Sequence, residues 1–153
     1  SGLGIKLYYN SNNNTVGGNI CQQNSSNHGI ELESSSNNAI TGNTCRGNGR
    51  AGINLYSSSS NTVTGNTCLE NSQMSNATYD NIRIDSDSDY NNIQANTCRA
   101  GALTNKPAYG IRINTADCDG NLVTNNDLYT GGATAAFSDA GTGTVTTAGN
   151  RTA

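Results

Sequence analysis

The sequence predicts an all-β fold, a right-handed parallel β-helix solenoid of about six coils, each of roughly 23–30 residues. Three observations predict it. A two-part motif recurs along the chain, apolar residues alternate over short runs inside it, and one Asn returns at the same place in every copy.

The first half of the motif reads Gly4-Ile5-Lys6-Leu7, Gly29-Ile30-Glu31-Leu32, Gly52-Ile53-Asn54-Leu55, Asn81-Ile82-Arg83-Ile84 and Gly110-Ile111-Arg112-Ile113. Alternation of this kind, bounded by Ser, Asn and Gly, specifies a brief strand with one buried face. The second half follows each time, as in Thr15-Val16-Gly17-Gly18-Asn19-Ile20-Cys21, Ala39-Ile40-Thr41-Gly42-Asn43-Thr44-Cys45 and Thr62-Val63-Thr64-Gly65-Asn66-Thr67-Cys68. Asn92 to Cys98 and Leu122 to Leu128 continue the series, and a degenerate copy ends at Asn150. A strand of three or four residues is not stable alone. Stacking equivalent strands from successive coils pairs each backbone with the coil above and below, so parallel sheets follow. The column Ile5, Ile30, Ile53, Ile82 and Ile111 is expected inside.

Composition fits only this kind of core. Hydrophobic residues make up 33% of the chain, and there are 26 Asn and 18 Gly, which alone would suggest disorder. A solenoid interior a few side chains wide needs few apolar residues per coil. Charged residues are 12% with a net charge of -3, so no basic face exists for nucleic acid. No apolar run of about 18 residues is available for membrane insertion. The recurrent Asn19, Asn43, Asn66, Asn96, Asn126 and Asn150 sit at a bend, where Asn tolerates left-handed backbone and its amide reaches the next coil, predicting an asparagine ladder. A leucine-rich repeat has a similar period but needs more Leu.

The whole chain, 1–153, is read as a single domain with 129–153 as a degenerate terminal coil. Because a core strand opens almost at residue 4 without a cap, the expectation is a fragment or C-terminal module of a longer protein, or a homo-oligomer formed through the open N-terminal coil.

Cys21, Cys45, Cys68 and Cys98 share one repeat position, taken by Leu128 in the next coil, which reads as packing. A vertical stack cannot surround a metal tetrahedrally. Disulfides between adjacent coils stay open, because the strand separation suits them while the parallel side chains make the torsion hard to reach. Cys118, between Asp117 and Asp119, is expected near the surface.

With Ile and Leu inward, two outward columns arise: Lys6, Glu31, Asn54, Arg83, Arg112, and Tyr8, Glu33, Tyr56, Asp85, Asn114. Tyr rings stack on sugar rings, and Arg pairs with uronate carboxylates, although any exposed sheet face also needs polar residues. The longer connections Leu69 to Asp80 and Arg99 to Tyr109 are expected to wall a groove there. The candidate substrate-binding residues are therefore Tyr56, Arg83, Asp85, Tyr109 and Arg112. Asp87 and Asp89, with Asp117 and Asp119 one coil later, form a candidate Ca²⁺ site, the only cofactor suggested; with no flanking helices and no Glu at the last ligand position, a solvated acidic turn is the plainer reading of the same residues.

The GIxL strand, the Asn61 to Cys68 run NTVTGNTC and the Ser/Asn-rich turns together resemble the right-handed parallel β-helix proteins of the pectate-lyase-like superfamily, over nearly the whole chain. That group includes polysaccharide lyases, polygalacturonases, mannuronan C5-epimerases and phage tailspikes. The resemblance implies a carbohydrate-binding or carbohydrate-processing module with an acidic polysaccharide as partner, and a secreted, cell-surface or virion-associated location. A lyase or epimerase is one alternative, and a structural module of a phage tail or surface fibre is another. Catalysis on a uronate needs a base for the C5 proton and a group that neutralises the carboxylate, roles open to Arg83, Arg112, Tyr56 or His28. The chain lacks the consecutive Asp pair and Gly-His-Gly of polygalacturonases and the Asp-Pro-His of mannuronan epimerases, so no catalytic residue carries over. His28, the only histidine, reads as a solvated turn residue.

Overall fold

The structure, a computed structural model, describes residues 2–146 and 149–152. Its described residues form fifteen strands laid down coil by coil. The first coil holds β1 (Ile5–Tyr8), β2 (Thr15–Gly17) and β3 (Ile20–Gln22), and the second β4 (Ile30–Glu33), β5 (Ala39–Thr41) and β6 (Thr44–Arg46). The third holds β7 (Ile53–Tyr56), β8 (Thr62–Thr64) and β9 (Thr67–Leu69), and the fourth β10 (Ile82–Asp85), β11 (Asn92–Gln94) and β12 (Thr97–Arg99). Then come β13 (Tyr109–Ile113), β14 (Leu122–Thr124) and β15 (Ala135–Asp139).

Each kind of strand stacks into its own parallel sheet: β1-β4-β7-β10-β13-β15, β2-β5-β8-β11-β14, and β3-β6-β9-β12. The chain is a parallel β-helix of about five full turns with a sixth strand on the first sheet, close to the expected six. The degenerate region lies on the stack: Phe137 pairs with Ile111, and isolated bridges join Val145 to Leu122 and Arg151 to Asp127. Residues 147, 148 and 153 of that region lie outside the described residues.

Register follows the motif. Ile5, Ile30, Ile53, Ile82 and Ile111 lie opposite one another, and with Leu32, Leu55, Ile84 and Ile113 they fill the interior. Cys21, Cys45, Cys68 and Cys98 are also in register, buried, and all free thiols. Cys118 is buried as well, contrary to the expected surface position. The turn throws Asp117 and Asp119 outward, which points the residue between them into the core, where its Sγ lies 3.4 Å from Thr115 Oγ1.

The predicted Asn ladder runs from Asn19 to Asn150. At each step one Oδ1 accepts both the backbone N–H and the side-chain Nδ2–H of the Asn before it, as Asn66 does from Asn43 at 2.9 and 3.0 Å. Two further ladders were not anticipated. One joins Asn14, Asn38, Asn61, Asn91 and Asn121, and the other Asn24, Asn48, Asn71 and Asn81. The left-handed residue at the bend is not the ladder Asn but the one before it: Gly18, Gly42, Gly65, Ala95 and Asn125 all have positive φ. That residue turns the backbone, which leaves the Asn side chain free to point inward.

Candidate functional site

The outer face of the first sheet carries the expected columns, Lys6, Glu31, Asn54, Arg83, Arg112 and Tyr8, Glu33, Tyr56, Asp85, in register across adjacent coils. Over coils two to four this face hollows into a cleft of about 370 Å³ lined by His28, Glu31, Glu33, Arg50, Asn54, Tyr56, Tyr79, Arg83 and Asp85.

The floor comes from the strands. Lys6 Nζ pairs with Glu31 Oε2 at 3.2 Å and with Glu33, which fixes both carboxylates at one end. Tyr56 leaves 43% of its surface open over the floor. Arg83 is held by its own chain: Nη1 lies 3.2 Å from Asp80 Oδ2 and Nε 3.0 Å from Asp85 Oδ2, while Asn114 Nδ2 donates to Asp85 Oδ1 at 2.9 Å. A ligand carboxylate is therefore left only the remaining guanidinium N–H groups.

The wall comes from the residues just before each first-sheet strand: His28, Arg50, and Tyr79 with Asp80. The His28 ring meets the Tyr79 ring edge-on at 6.4 Å, and the Arg50 guanidinium lies 5.8 Å from the Tyr79 ring centre. Arg50 Nε is buried without a hydrogen-bond partner among the described residues. Asp80 is fully buried, and that burial, outweighing the pull of Arg83 and Arg112, pushes its carboxyl up to about 6. His28 is 5% exposed, so it is a buried wall residue and not the solvated turn residue expected. Burial first, then the positive charges of Arg50, Arg83 and Lys6, lower its pKa to about 4. Its Nδ1 accepts the Ala51 N–H at 3.1 Å, which assigns the single proton of the neutral ring to Nε2, 3.8 Å from Glu31 Oε1.

Of the five binding residues predicted from sequence, Tyr56, Arg83 and Asp85 line the cleft. Tyr109 and Arg112 sit one coil further and pair with each other, guanidinium to ring centre 5.1 Å. The two long connections stack on one another through Gln73 and Asn105, whose side-chain amides reach each other's backbone carbonyls at 2.7 and 2.8 Å. They end at Tyr79 and Tyr109. Arg50, Asp80 and the burial of His28 were missed, although alignment on the position before each GIxL strand would have put His28, Ala51, Asp80 and Tyr109 in one column. Asp89 and Asp119 adjoin as expected, with the Asp119 N–H donating to Asp89 Oδ1 at 2.7 Å. Among the described residues no three His, Cys, Asp or Glu side chains gather as metal ligands.

The family model described as periplasmic copper-binding protein (NosD) matches residues 1–150. A mutant of the periplasmic alginate epimerase AlgG superposes with a TM-score of 0.72 at 18% identity, covering 95% of this chain and 36% of that one. The A-module of the Azotobacter vinelandii mannuronan C-5 epimerase AlgE6 superposes with a TM-score of 0.61 at 16% identity, covering 95% and 48%. This chain thus spans less than half of either structure, and at such identity the likeness is one of fold. No curated protein matches.

Copper takes His, Cys and Met donors. The acceptor nitrogen of His28 is already engaged, and no three-donor cluster exists among the described residues. The stacked thiols stand in register in the core among aliphatic side chains, and among the described residues they do not gather into a three-donor group.

Proposed function

The chain belongs to the periplasmic copper-binding protein (NosD) family, and on that premise we propose that it works outside the cytoplasm as a β-helix module that binds an acidic polysaccharide. The carrying observation is the first-sheet cleft, which joins two cationic side chains, Arg50 and Arg83, to the exposed Tyr56 ring and the Tyr79 ring beside carboxylates able to accept sugar hydroxyls. Carbohydrate-processing solved neighbours on the same fold support a sugar ligand by analogy. The one histidine of the cleft has its lone-pair nitrogen occupied by the Ala51 N–H and presents a donor, so a base for turnover would have to come from Tyr56 or the cleft carboxylates.

The test is binding of oligouronates and of neutral oligosaccharides by calorimetry, with product analysis in parallel. Tyr56→Ala removes an exposed ring without disturbing the core and is expected to weaken oligouronate binding roughly three- to tenfold, the scale of one aromatic contact. Arg50→Gln is expected to weaken it and to reduce its salt dependence. Equal affinity for neutral sugars, or no change in either variant, would refute the assignment. Ultraviolet-absorbing unsaturated products would instead make this an enzyme.

A further inference from the structure

An anion entering the cleft has to share Arg83 with a buried carboxyl of the chain itself. Asp80 is fully buried, its Oδ2 lies 3.2 Å from Arg83 Nη1, and its Oδ1 has no hydrogen-bond partner among the described residues. Arg83 and Arg112 stand in register on adjacent strands, and the charges of both act on this one carboxyl, as does the Tyr109 backbone. Arg83 is also tied to Asp85, so two carboxylates already engage the guanidinium that a uronate would reach. A further anion there is repelled by a buried carboxylate that water screens poorly. Resting on the acidic-polysaccharide reading of the cleft, we propose that Asp80 is a proton site coupled to it: the ligand carboxylate enters as Asp80 takes up a proton, so acidification strengthens binding.

Burial brings the uptake into an ordinary pH range, because it holds the Asp80 carboxyl up at about 6 against the pull of Arg83 and Arg112. A proton on Asp80 removes its charge, and Arg83 keeps Asp85 as its anchor while its free N–H groups lose a competing anion. An anion bound beside Arg83 disfavours ionised Asp80, and by reciprocity protonated Asp80 favours the anion by the same factor. The other groups facing the cleft carry different signatures. His28 has its pKa lowered to about 4 by burial and by Arg50, Arg83 and Lys6, so it charges only in more acid solution. Glu31 and Glu33 are paired with Lys6, and Asp85 with Arg83 and Asn114. Arg50 and Arg112 add guanidinium groups, and Tyr56, Tyr79 and Tyr109 phenol rings. Guanidinium and phenol groups ordinarily keep their charge state below pH 8. The carboxyl of a uronate titrates near the ~3.5 of an α-carboxyl, so the ligand is still an anion at pH 5.

The test is calorimetry of the wild type with trimannuronate and with trigalacturonate, from pH 8 to pH 5 at constant ionic strength. Affinity is expected to rise about tenfold on acidification. Near pH 6.5 about half a proton is expected to be taken up per ligand bound, read from the heats in two buffers of different ionisation enthalpy. Maltotriose, which carries no charge, is expected to show no such step. Asp80→Asn fixes the neutral form, so it is expected to bind at pH 8 as the wild type does at pH 5, whereas His28→Gln keeps the step whatever its absolute affinity. A wild-type affinity that is flat with pH, with no proton taken up, would overturn the coupling and leave the acidic-polysaccharide reading standing. A step that persists in folded Asp80→Asn would overturn the assignment to Asp80. Failure of both trisaccharides to bind at any pH would sink that reading and the coupling with it. The wild-type proton count decides whether binding and protonation are coupled even if a variant misfolds.

Discussion

Two buried side chains on the cleft wall titrate across the same pH range with opposite effect on stability. His28 is neutral when folded, with a pKa lowered to about 4, so the unfolded chain takes up a proton first as the pH drops below 6.5. Its stability contribution is present above 6.5 and is lost as pH falls towards 4, about 3 kcal/mol in all. Asp80 is raised to about 6 from 3.8, so the folded chain takes up the proton first and gains a similar amount over the same fall. The wild type is therefore expected to show a shallow pH dependence of urea unfolding between pH 7 and 4. His28→Gln should become more stable on acidification, and Asp80→Asn should lose stability more steeply than the wild type. Parallel curves for all three would show that neither group titrates as its surroundings dictate. Arg83→Ala is expected to cost more stability than an exposed Arg would, because it leaves the fully buried Asp80 carboxylate without its ion pair.

At the scale of the element, the Asn ladders stitch the corners and the left-handed residues make them. Asn66→Ala removes the acceptor of two Asn43 donors and the donor to Ile40 O at 2.8 Å, all buried, and is expected to cost about 2–4 kcal/mol in denaturant unfolding. Ala95, at φ 53°, stands where three earlier coils have Gly, so Ala95→Gly is expected to raise stability by up to about 1 kcal/mol, the left-handed strain less the flexibility of Gly. A fall in the denaturation midpoint would refute that. The strands, their register and one ladder were legible because period-2 patterning and a repeated motif encode them directly. The ladders through Asn61 and Asn71 were not, since most of their members flank the strand motifs in Ser/Asn-rich turns, where one Asn among many looks like any loop residue. The cleft was half legible for the same reason. Tyr56, Arg83 and Asp85 belong to strands whose facing alternates, whereas Arg50 and Asp80 stand on connections of unequal length, and only the stacked coils bring them beside the sheet.

Across the whole molecule, each coil touches mainly the coils above and below, so stability accumulates from neighbour to neighbour and not from one central core. A ligand bridging coils two to four ties three of these units together. At a hundredfold excess over its dissociation constant it is expected to add about 2.7 kcal/mol, read as a rise in melting temperature, and the first-sheet amides of those coils should gain the most protection from hydrogen exchange. Protection confined to the third sheet would place the ligand elsewhere. The strand stack also acts as a graduated scale. Tyr8, Glu33, Tyr56 and Asp85 occupy successive marks about 4.8 Å apart, and the two rings stand two marks from each other. A polymer whose own repeat is commensurate with those marks can stay in phase across the face. One that is not drifts out of phase like a vernier, and beyond the first few units extra length adds contacts without adding affinity.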